Sequence, residues 1–271
     1  MKRYHHVYLS PHIDDVSLSC GGAIYHQQQA GEAVLTVTVF AAQPNLKSFS
    51  AYVDWMHGIW GNLDEVVATR LAEDQASMAV LGCDAQYLPF LDCIYRGEPE
   101  ADVWYYTSNE ELFGRLHPDD LPLNEAIAET VIDLNPDPTE TVIYAPLAIG
   151  HHVDHQLVHQ AARHLLSKGY HVAFYEDYPY ADPEYPYSSH SADNLYPLEA
   201  ALADSADLRL TPQLQFLTEA DLQAKVASIR AYSSQMAMLF ENETLVEKYV
   251  RAYTLRVGKG ESAERVWTVG E

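Results

Sequence analysis

Short apolar runs alternate along this chain with longer stretches in which apolar residues recur at helical spacing. The short runs predict β-strands over residues 6–9, 32–40, 85–91, 141–147 and 171–177. The longer stretches predict helices over residues 16–29, 63–81, 124–134 and 154–168. Because strands that alternate with such helices form βαβ units, we expect an α/β fold with a mostly parallel sheet flanked by helices.

The remaining segments predict less regular structure. Residues 43–61, which include Trp55 and Trp60, are predicted to be a loop. Residues 178–197 are rich in Tyr and Pro, so they form either a lid or sugar-stacking wall or a packed irregular loop. From Leu208 the pattern indicates antiparallel strands and helices, ending in an edge strand over 265–269. We expect a single Rossmann-like domain over residues 1–271.

The first predicted strand is followed by an imidazole and two carboxylates, from His12, Asp14 and Asp15. They lie in the turn between that strand and the first helix, and such turns at the carboxyl ends of strands are where α/β sheets bind ligands. Either Asp could simply cap the helix by accepting a backbone N–H. Capping explains one carboxylate, but it does not explain the second together with His12.

A second polar cluster follows the strand over residues 141–147 and contains His151, His152, Asp154 and His155. His152 and His155 are three residues apart and share a face if the first turn is helical. In a chain with 13 histidines, one His-rich helix start is weak evidence by itself. Two such clusters, each at the carboxyl end of a strand, predict a site formed by both.

Together the two clusters supply His12, Asp15 and His155 as ligands for a divalent metal, with one position open for water. Three protein ligands plus water is the arrangement of catalytic zinc sites. A structural zinc site is disfavoured, because Cys20, Cys83 and Cys93 have no CxxC spacing.

A metal hydrolase also needs a carboxylate to accept a proton from water and an imidazole to stabilise the oxyanion or protonate the leaving amine. Asp14 and His152 are the unassigned groups of these types. Asp154 either orients a neighbouring imidazole or caps the second helix.

These motifs resemble the PIG-L or LmbE-like deacetylases, which include enzymes that act on N-acetylglucosaminyl lipids and thiol precursors. The segment over residues 11–16 is similar to the family's first motif, with Ile13 in place of Pro and Val16 in place of Glu. The resemblance implies a Rossmann-like domain and a zinc-dependent N-deacetylase. It implies that the metal ligands are His12, Asp15 and His155, that Asp14 is the general base, and that His152 is the oxyanion or acid histidine.

Weaker similarities extend over most of the chain. Arg70 and Glu73 match an Arg-x-x-Glu helix of the family, Asp92 falls after the next strand, and residues 225–235 are similar to a late Lys…Ser-Gln helix. By this resemblance Arg70 and Asp92 are candidates for binding the sugar. The alternative is an exposed, ion-pairing Arg and an Asp in a turn.

Composition restricts the class of partner. The chain has 16 Lys and Arg against 39 Asp and Glu, a formal net charge of −23, which disfavours nucleic acid and anionic membranes as partners. Neither a transmembrane segment nor a signal-peptide core is predicted. Three scattered cysteines fit a reducing compartment. We expect a cytoplasmic protein whose partner is a small molecule.

The sequence thus predicts a metal-dependent hydrolase that removes acetyl from an N-acetylated amino sugar, such as an N-acetylglucosamine derivative, or from a glycoconjugate. Zinc is the expected metal, and two His with one carboxylate also suit Fe²⁺. Three alternatives remain: a non-haem iron oxygenase, expected on a β jelly roll; a cofactor-binding Rossmann module, although Gly21 and Gly22 lack the GxGxxG spacing; and a non-catalytic metal-binding protein. Release of acetate during turnover would separate these classes.

Overall fold

A seven-stranded sheet forms the centre of the molecule. The computed structural model describes residues 2–60, 66–185 and 196–270. In spatial order the sheet strands are β3 (Asp84–Tyr87), β2 (Val34–Thr38), β1 (His6–Ser10), β6 (Val142–Pro146), β7 (His171–Tyr175), β9 (Ala263–Thr268) and β8 (Thr211–Phe216). The first five are mutually parallel, and β9 pairs antiparallel with both β7 and β8. A small hairpin, β4 (Gly97–Glu98) and β5 (Val103–Trp104), lies outside this sheet.

Helices cover the sheet. The longer ones are α1 (Asp15–Gln29), α3 (Val66–Leu81), α5 (Leu123–Asp133), α6 (Val153–Ser167), α8 (Glu219–Arg230) and α10 (Val246–Val257). Shorter ones are α2 (Ala51–Ile59), α4 (Asn109–Leu112), α7 (Leu198–Asp204) and α9 (Met236–Leu239). No helix of the described residues is long and apolar enough to span a membrane.

The burial of the central strands explains their apolar composition. All five residues of β2 are buried, as expected for a parallel strand covered by helices on both faces. Val7, Ile143 and Phe174 come from neighbouring strands and belong to one buried cluster with residues of α5 and α6. The predicted α/β fold with a mostly parallel sheet and antiparallel strands near the C-terminus is confirmed.

The strand order fixes the position of the candidate site. From β1 the chain continues through β2 and β3 on one side, and then it crosses to β6 on the other side of β1. Ligands bind at such a switch point in open α/β sheets, beyond the carboxyl ends of the strands. The turns after β1 and β6, which contain the two polar clusters, therefore lie side by side.

Three details differ from the sequence predictions. The predicted loop over 43–61 contains the helix α2. The predicted edge strand near the C-terminus, β9, lies inside the sheet because β8 pairs with its outer side. The strand predicted over 85–91 is the shorter β3. Residues 63–65 of the helix predicted over 63–81 and 186–195 of the Tyr- and Pro-rich segment are outside the described residues.

Gly21 and Gly22 lie inside α1 rather than in a phosphate-binding loop. A Cβ atom at Gly21 would approach Lys225 Cγ to 3.2 Å, and one at Gly22 would approach Leu217 Cδ1 to 2.6 Å. These glycines therefore allow close packing of α1. They are not part of a dinucleotide-binding turn, which disfavours the cofactor-binding alternative.

Candidate metal centre and active site

The three predicted ligands meet where the turns after β1 and β6 converge. Asp15 Oδ2 lies 3.3 Å from His12 Nδ1 and 3.3 Å from His155 Nε2. Two donors that are each about 2.0–2.1 Å from a tetrahedral zinc ion are separated by roughly 3.4 Å. The distance of each imidazole nitrogen from Asp15 Oδ2 thus fits ligands of one ion. His152 also offers a nitrogen within 4.8 Å of those of His12 and His155.

A buried carboxylate holds the far nitrogen of each candidate ligand imidazole. His12 Nε2 donates to Asp154 Oδ2 at 3.0 Å, and His155 Nδ1 donates to Asp177 Oδ1 at 2.6 Å. When the rings are neutral, these contacts leave the lone pairs of His12 Nδ1 and His155 Nε2 directed at the shared space. His155 Nε2 is buried and has no hydrogen-bond partner among the described residues. A buried nitrogen left unpaired in this way fits a metal ligand.

The two supporting carboxylates are themselves held firmly. Asp154 Oδ1 accepts from Arg96 Nη1 at 2.6 Å, and Asp154 Oδ2 also accepts from Cys93 N at 3.0 Å. Asp177 Oδ2 accepts from Ile149 N at 3.0 Å. Of the two roles considered for Asp154, orientation of an imidazole is therefore the one observed. His152 provides the N-cap of α6 instead.

Charge balance explains the ionisation of the three candidate ligands. Burial lowers the pKa of His155, but Asp15 and Asp177 outweigh it and raise this pKa to about 9. Burial also lowers the pKa of His12, but Asp15 and Asp154 outweigh it and raise this pKa well above its ordinary value. For Asp15, burial raises the pKa, yet the two histidines hold it well below its usual range.

Asp14 is in the same turn but has a different environment. It is the N-cap residue of α1, yet its side chain accepts no capping hydrogen bond, so the capping interpretation does not explain it. Burial raises the pKa of Asp14, and Arg70 opposes this shift from an Nη2 to Oδ2 distance of 3.5 Å. The carboxylate thus lines the cavity and remains available to accept a proton.

His152 is positioned as a hydrogen-bond donor. Its Nδ1 accepts from Asp154 N at 3.2 Å, so in the neutral ring the proton is on Nε2. Burial and the neighbouring His12 lower the pKa of His152 well below its ordinary value, which keeps the ring neutral. The Nε2–H group of this cavity-lining residue can therefore donate to an oxyanion.

The two residues predicted to bind sugar also line the cavity, Arg70 on α3 and Asp92 before the 3₁₀ turn Cys93–Tyr95. Arg70 is only 8% exposed, lies 5.2 Å over the Trp60 ring, and its Nε has no hydrogen-bond acceptor among the described residues. Asp92 Oδ1 accepts from Ile94 N, and Oδ2 lies 3.8 Å from His12 Nε2. The exposed ion pair considered for Arg70 is thus not observed.

The loop that brings His152 into place has an unusual backbone. Ala148, Gly150 and His151 all have positive φ, at 64°, 84° and 64°. At Gly150 a Cβ atom would lie 2.7 Å from Tyr180 Cγ, so this position requires glycine. His151, for which the sequence suggests no role, stacks on Tyr196 with ring centroids 4.3 Å apart.

The site opens into a cavity of about 200 Å³. We call the part formed by the two turns, α3 and the residue before the 3₁₀ turn the polar end; it consists of His12, Asp14, Asp15, Arg70, Asp92 and His152. We call the part formed by the short helices α2 and α9 the apolar wall; it consists of Tyr52, Trp55, Met56, Ile59, Met238 and Leu239. Pro179, Tyr180 and Tyr185 from the Tyr- and Pro-rich segment also line the cavity.

Sequence reasoning missed Asp177 and Arg96. Asp177 lies just beyond the carboxyl end of a strand, as the residues of both polar clusters do. This shared position could have indicated that Asp177 belongs to the site. Arg96 gave no signal, because its contacts with Asp154 and Asp120 join residues far apart in sequence.

With this geometry established, comparison with known proteins identifies the family. The family model for PIG-L, described as GlcNAc-PI de-N-acetylase, matches residues 7–166. This match covers more than half of the chain, and the protein belongs to the PIG-L family.

Curated relatives are deacetylases of N-acetylated sugars. The 2'-N-acetylparomamine deacetylase of Niallia circulans is 31% identical over 64% of this chain and 66% of its own length. The enzyme of the same name from Streptomyces fradiae is 31% identical over 67% of this chain and 59% of its own length. The match thus spans less than two thirds of these relatives.

Solved structures agree over nearly the whole chain. A deacetylase of the teicoplanin biosynthesis pathway, in its bog complex, has a TM-score of 0.78 at 26% identity, with 98% of this chain and 97% of that chain covered. The zinc inhibited form of teicoplanin deacetylase Orf2 has a TM-score of 0.77 at 27% identity, with the same coverage. The architecture is therefore that of PIG-L deacetylases, not the jelly roll expected of the iron oxygenase alternative.

Proposed function

We propose that this protein is a metal-dependent N-deacetylase that removes acetyl from an N-acetylated amino sugar or glycoconjugate, within one domain over residues 1–271. The main support is the arrangement of His12 and His155. Each imidazole presents one nitrogen 3.3 Å from Asp15 Oδ2, and each has its other nitrogen held by a buried carboxylate. The family membership and the deacetylase relatives agree with this reaction.

His12, Asp15 and His155 would hold the metal. When bound there, a zinc ion would lower the pKa of a water ligand and polarise the acetyl carbonyl. Zinc is our proposal because two nitrogen donors and one oxygen donor suit it, and Fe²⁺ suits the same donors. The far-side contacts from Asp154 and Asp177 keep both imidazoles in the tautomer that a metal requires.

Asp14 acts as the general base in this proposal. Its neighbour Asp15 is committed to the two histidines, whereas within the described part of the chain Asp14 has only the long contact with Arg70. Asp14 therefore has oxygen lone pairs free to accept the proton of the attacking water. Arg70 stabilises the ionised form that this role needs, against the burial that disfavours it.

His152 stabilises the oxyanion that forms when water adds to the acetyl carbonyl. Its neutral ring donates through Nε2–H, as the backbone contact to Nδ1 dictates. Of the two roles implied by the family resemblance, the lowered pKa favours oxyanion stabilisation over proton donation to the leaving amine.

Arg70 and Asp92 bind the sugar in this proposal. Both face the cavity beside the reacting groups, and Arg70 Nε has no acceptor in the described ranges, so a sugar oxygen could supply one. The relatives named as deacetylases for acetylparomamine and in teicoplanin biosynthesis agree with an N-acetylated substrate.

The test is turnover of defined substrates by the purified protein loaded with Zn²⁺ or Fe²⁺. A panel of N-acetylated sugars and their glycosides is incubated with enzyme, and free amine and acetate are both quantified. We expect equal amounts of the two products and none from the metal-free protein. Metal binding without acetate release from any member of the panel would instead support the non-catalytic alternative.

A further inference from the structure

The helix α2 has apolar residues on two of its faces, one directed at the protein core and one at the cavity. One face packs inward: Val53 is fully buried, His57 Nε2 lies 2.7 Å from Tyr95 Oη, and Trp60 follows at the same face. The other face, with Tyr52, Trp55, Met56 and Ile59 at positions i, i+3, i+4 and i+7, lines the cavity. Tyr52 and Met56 of this second face also pack against the buried cluster that contains Val53, whereas Trp55 and Ile59 stay exposed.

The apolar wall is exposed to solvent at the mouth of the cavity. Trp55 is 50% exposed, Ile59 is 41% exposed, and Met238 on the facing helix α9 is 37% exposed. These are three of the nine large apolar side chains that are exposed in the described part of the chain. Exposed apolar residues grouped at one cavity mouth are typical of a ligand-binding surface.

The charged side chains of the cavity lie at its polar end. Apart from tyrosines, the ionisable side chains that line the cavity in the described residues are all at the polar end. Arg70 and Asp92 are both close to the reacting groups, within 3.5 Å of Asp14 and 3.8 Å of His12 respectively. Asn109 is near α2, but its Oδ1 already accepts from Tyr52 Oη at 2.5 Å. A charged group bound against the apolar wall would find no counter-ion among these residues.

We infer that the substrate of this enzyme has an apolar group, a hydrocarbon chain or an aromatic ring, on the sugar side of the scissile amide, and that the apolar wall binds it. This inference rests on the proposed deacetylation. Because that reaction releases only acetate from the acyl side, the group that contacts the wall must belong to the part that stays with the amine. The wall is continuous with the polar end, so one molecule can occupy both.

The first experiment compares alkyl glycosides of N-acetylglucosamine on the zinc-loaded enzyme, from methyl to octyl and below the concentrations at which they form micelles. If the chain is buried against the wall, kcat/KM for the octyl glycoside exceeds that for the methyl glycoside by roughly tenfold or more. An aminoalkyl glycoside of similar length gains much less. Equal kcat/KM along the alkyl series, or a gain for the charged chain that matches octyl, would overturn the inference.

Variants connect this preference to the wall. Trp55→Ala lowers the ratio of octyl to methyl kcat/KM. Phe216→Ala is the matched control, because Phe216 is an aromatic residue that is 49% exposed on β8, away from the cavity, and its loss leaves the ratio unchanged. A ratio that Trp55→Ala does not alter contradicts the assignment of the wall.

Two further arms separate this inference from the proposed function. If N-octanoylglucosamine is a better substrate than its N-acetyl counterpart, the apolar group belongs to the acyl side and the inference is wrong. If no glycoside is hydrolysed, the proposed function fails, and calorimetry with the zinc-loaded Asp14→Asn variant then decides the inference alone. Tighter binding of the octyl than of the methyl glycoside supports it, and equal binding overturns it.

Discussion

The polar end and the apolar wall of the cavity are built in different ways. Most side chains of the polar end come from the turns after two parallel strands, β1 and β6, and buried partners hold both candidate ligand imidazoles. The apolar wall comes from two short helices outside the sheet, and half-exposed side chains form its mouth. The sheet thus fixes the groups needed for chemistry, whereas the helices that surround the mouth are free to differ in what they select.

The largest expected effect is at the polar end. Replacing His155 by Ala removes one of three protein ligands, and we expect loss of both metal and activity. Metal content by mass spectrometry and amine release measure this. His164→Ala is the control, since His164 is on the same helix α6 near its other end. A purified His155→Ala protein with full metal content would show that the ligand set is wrong.

Substitution of the adjacent carboxylates Asp14 and Asp15 should separate loss of catalysis from loss of metal binding. Asp14→Asn keeps the shape of the side chain but cannot accept the proton, so kcat should fall by roughly 10²–10⁴-fold while metal is retained. Asp15→Asn should weaken metal binding instead. Full activity of Asp14→Asn, or the reverse pattern in the two variants, would require a different base.

The supporting carboxylates should have an intermediate effect. Asp177→Asn removes the charge that orients His155, and we expect zinc affinity to fall by roughly 10–100-fold. The Asn side chain can still accept from Ile149 N, so the loop after β6 keeps that contact. Competition with a chelator measures the affinity. Unchanged affinity would mean that Asp177 does not support the metal site.

The affinity of the site for a metal ion should increase with pH. His155 has a pKa of about 9 in the metal-free protein, so a proton occupies the ring at neutral pH and a metal ion must displace it. Affinity therefore rises with pH up to about 9, by roughly tenfold per pH unit for each proton released. Chelator competition between pH 6 and pH 9 tests this, and a flat profile contradicts it.

The smallest expected effects concern the stability of α2. Val53 is fully buried, so Val53→Ala should lower the free energy of unfolding by about 0.5–3 kcal/mol. Trp55 lies on the cavity face of the same helix, and Trp55→Ala should change it by only about 0.5 kcal/mol or less. Denaturant titration compares the two. A larger loss for Trp55→Ala would show that the apolar wall stabilises the fold.

The sequence predicted the sheet better than the segments around it. Strands buried on both faces leave continuous apolar runs, which made β1, β2, β6 and β7 recognisable. The helix α2 was missed because apolar residues on both of its faces hide the single stripe that indicates a surface helix. The position of β9 was missed because pairing order depends on contacts with β8, which the sequence pattern does not record.

Local spacing also limits what can be predicted about the site. His12, Asp15 and His155 were found because each lies in a short polar cluster after a strand. The roles of their supports depend on distant pairs, such as His155 with Asp177, that only the folded chain brings together. The neutral tautomer of His152 likewise follows from a backbone contact and not from residue type.

The position of Arg96 has a consequence for engineering. Its guanidinium donates through Nε to both oxygens of Asp120, at 3.1 and 3.0 Å, and through Nη1 to Asp154 at 2.6 Å. The segment from 93 to 120 supplies cavity residues such as Phe113 and is an obvious piece to graft between relatives. A graft without an equivalent arginine would remove the guanidinium that pairs with the buried carboxylate of Asp154 behind His12. Chimeras made to alter substrate choice must therefore transplant this cation together with the loop.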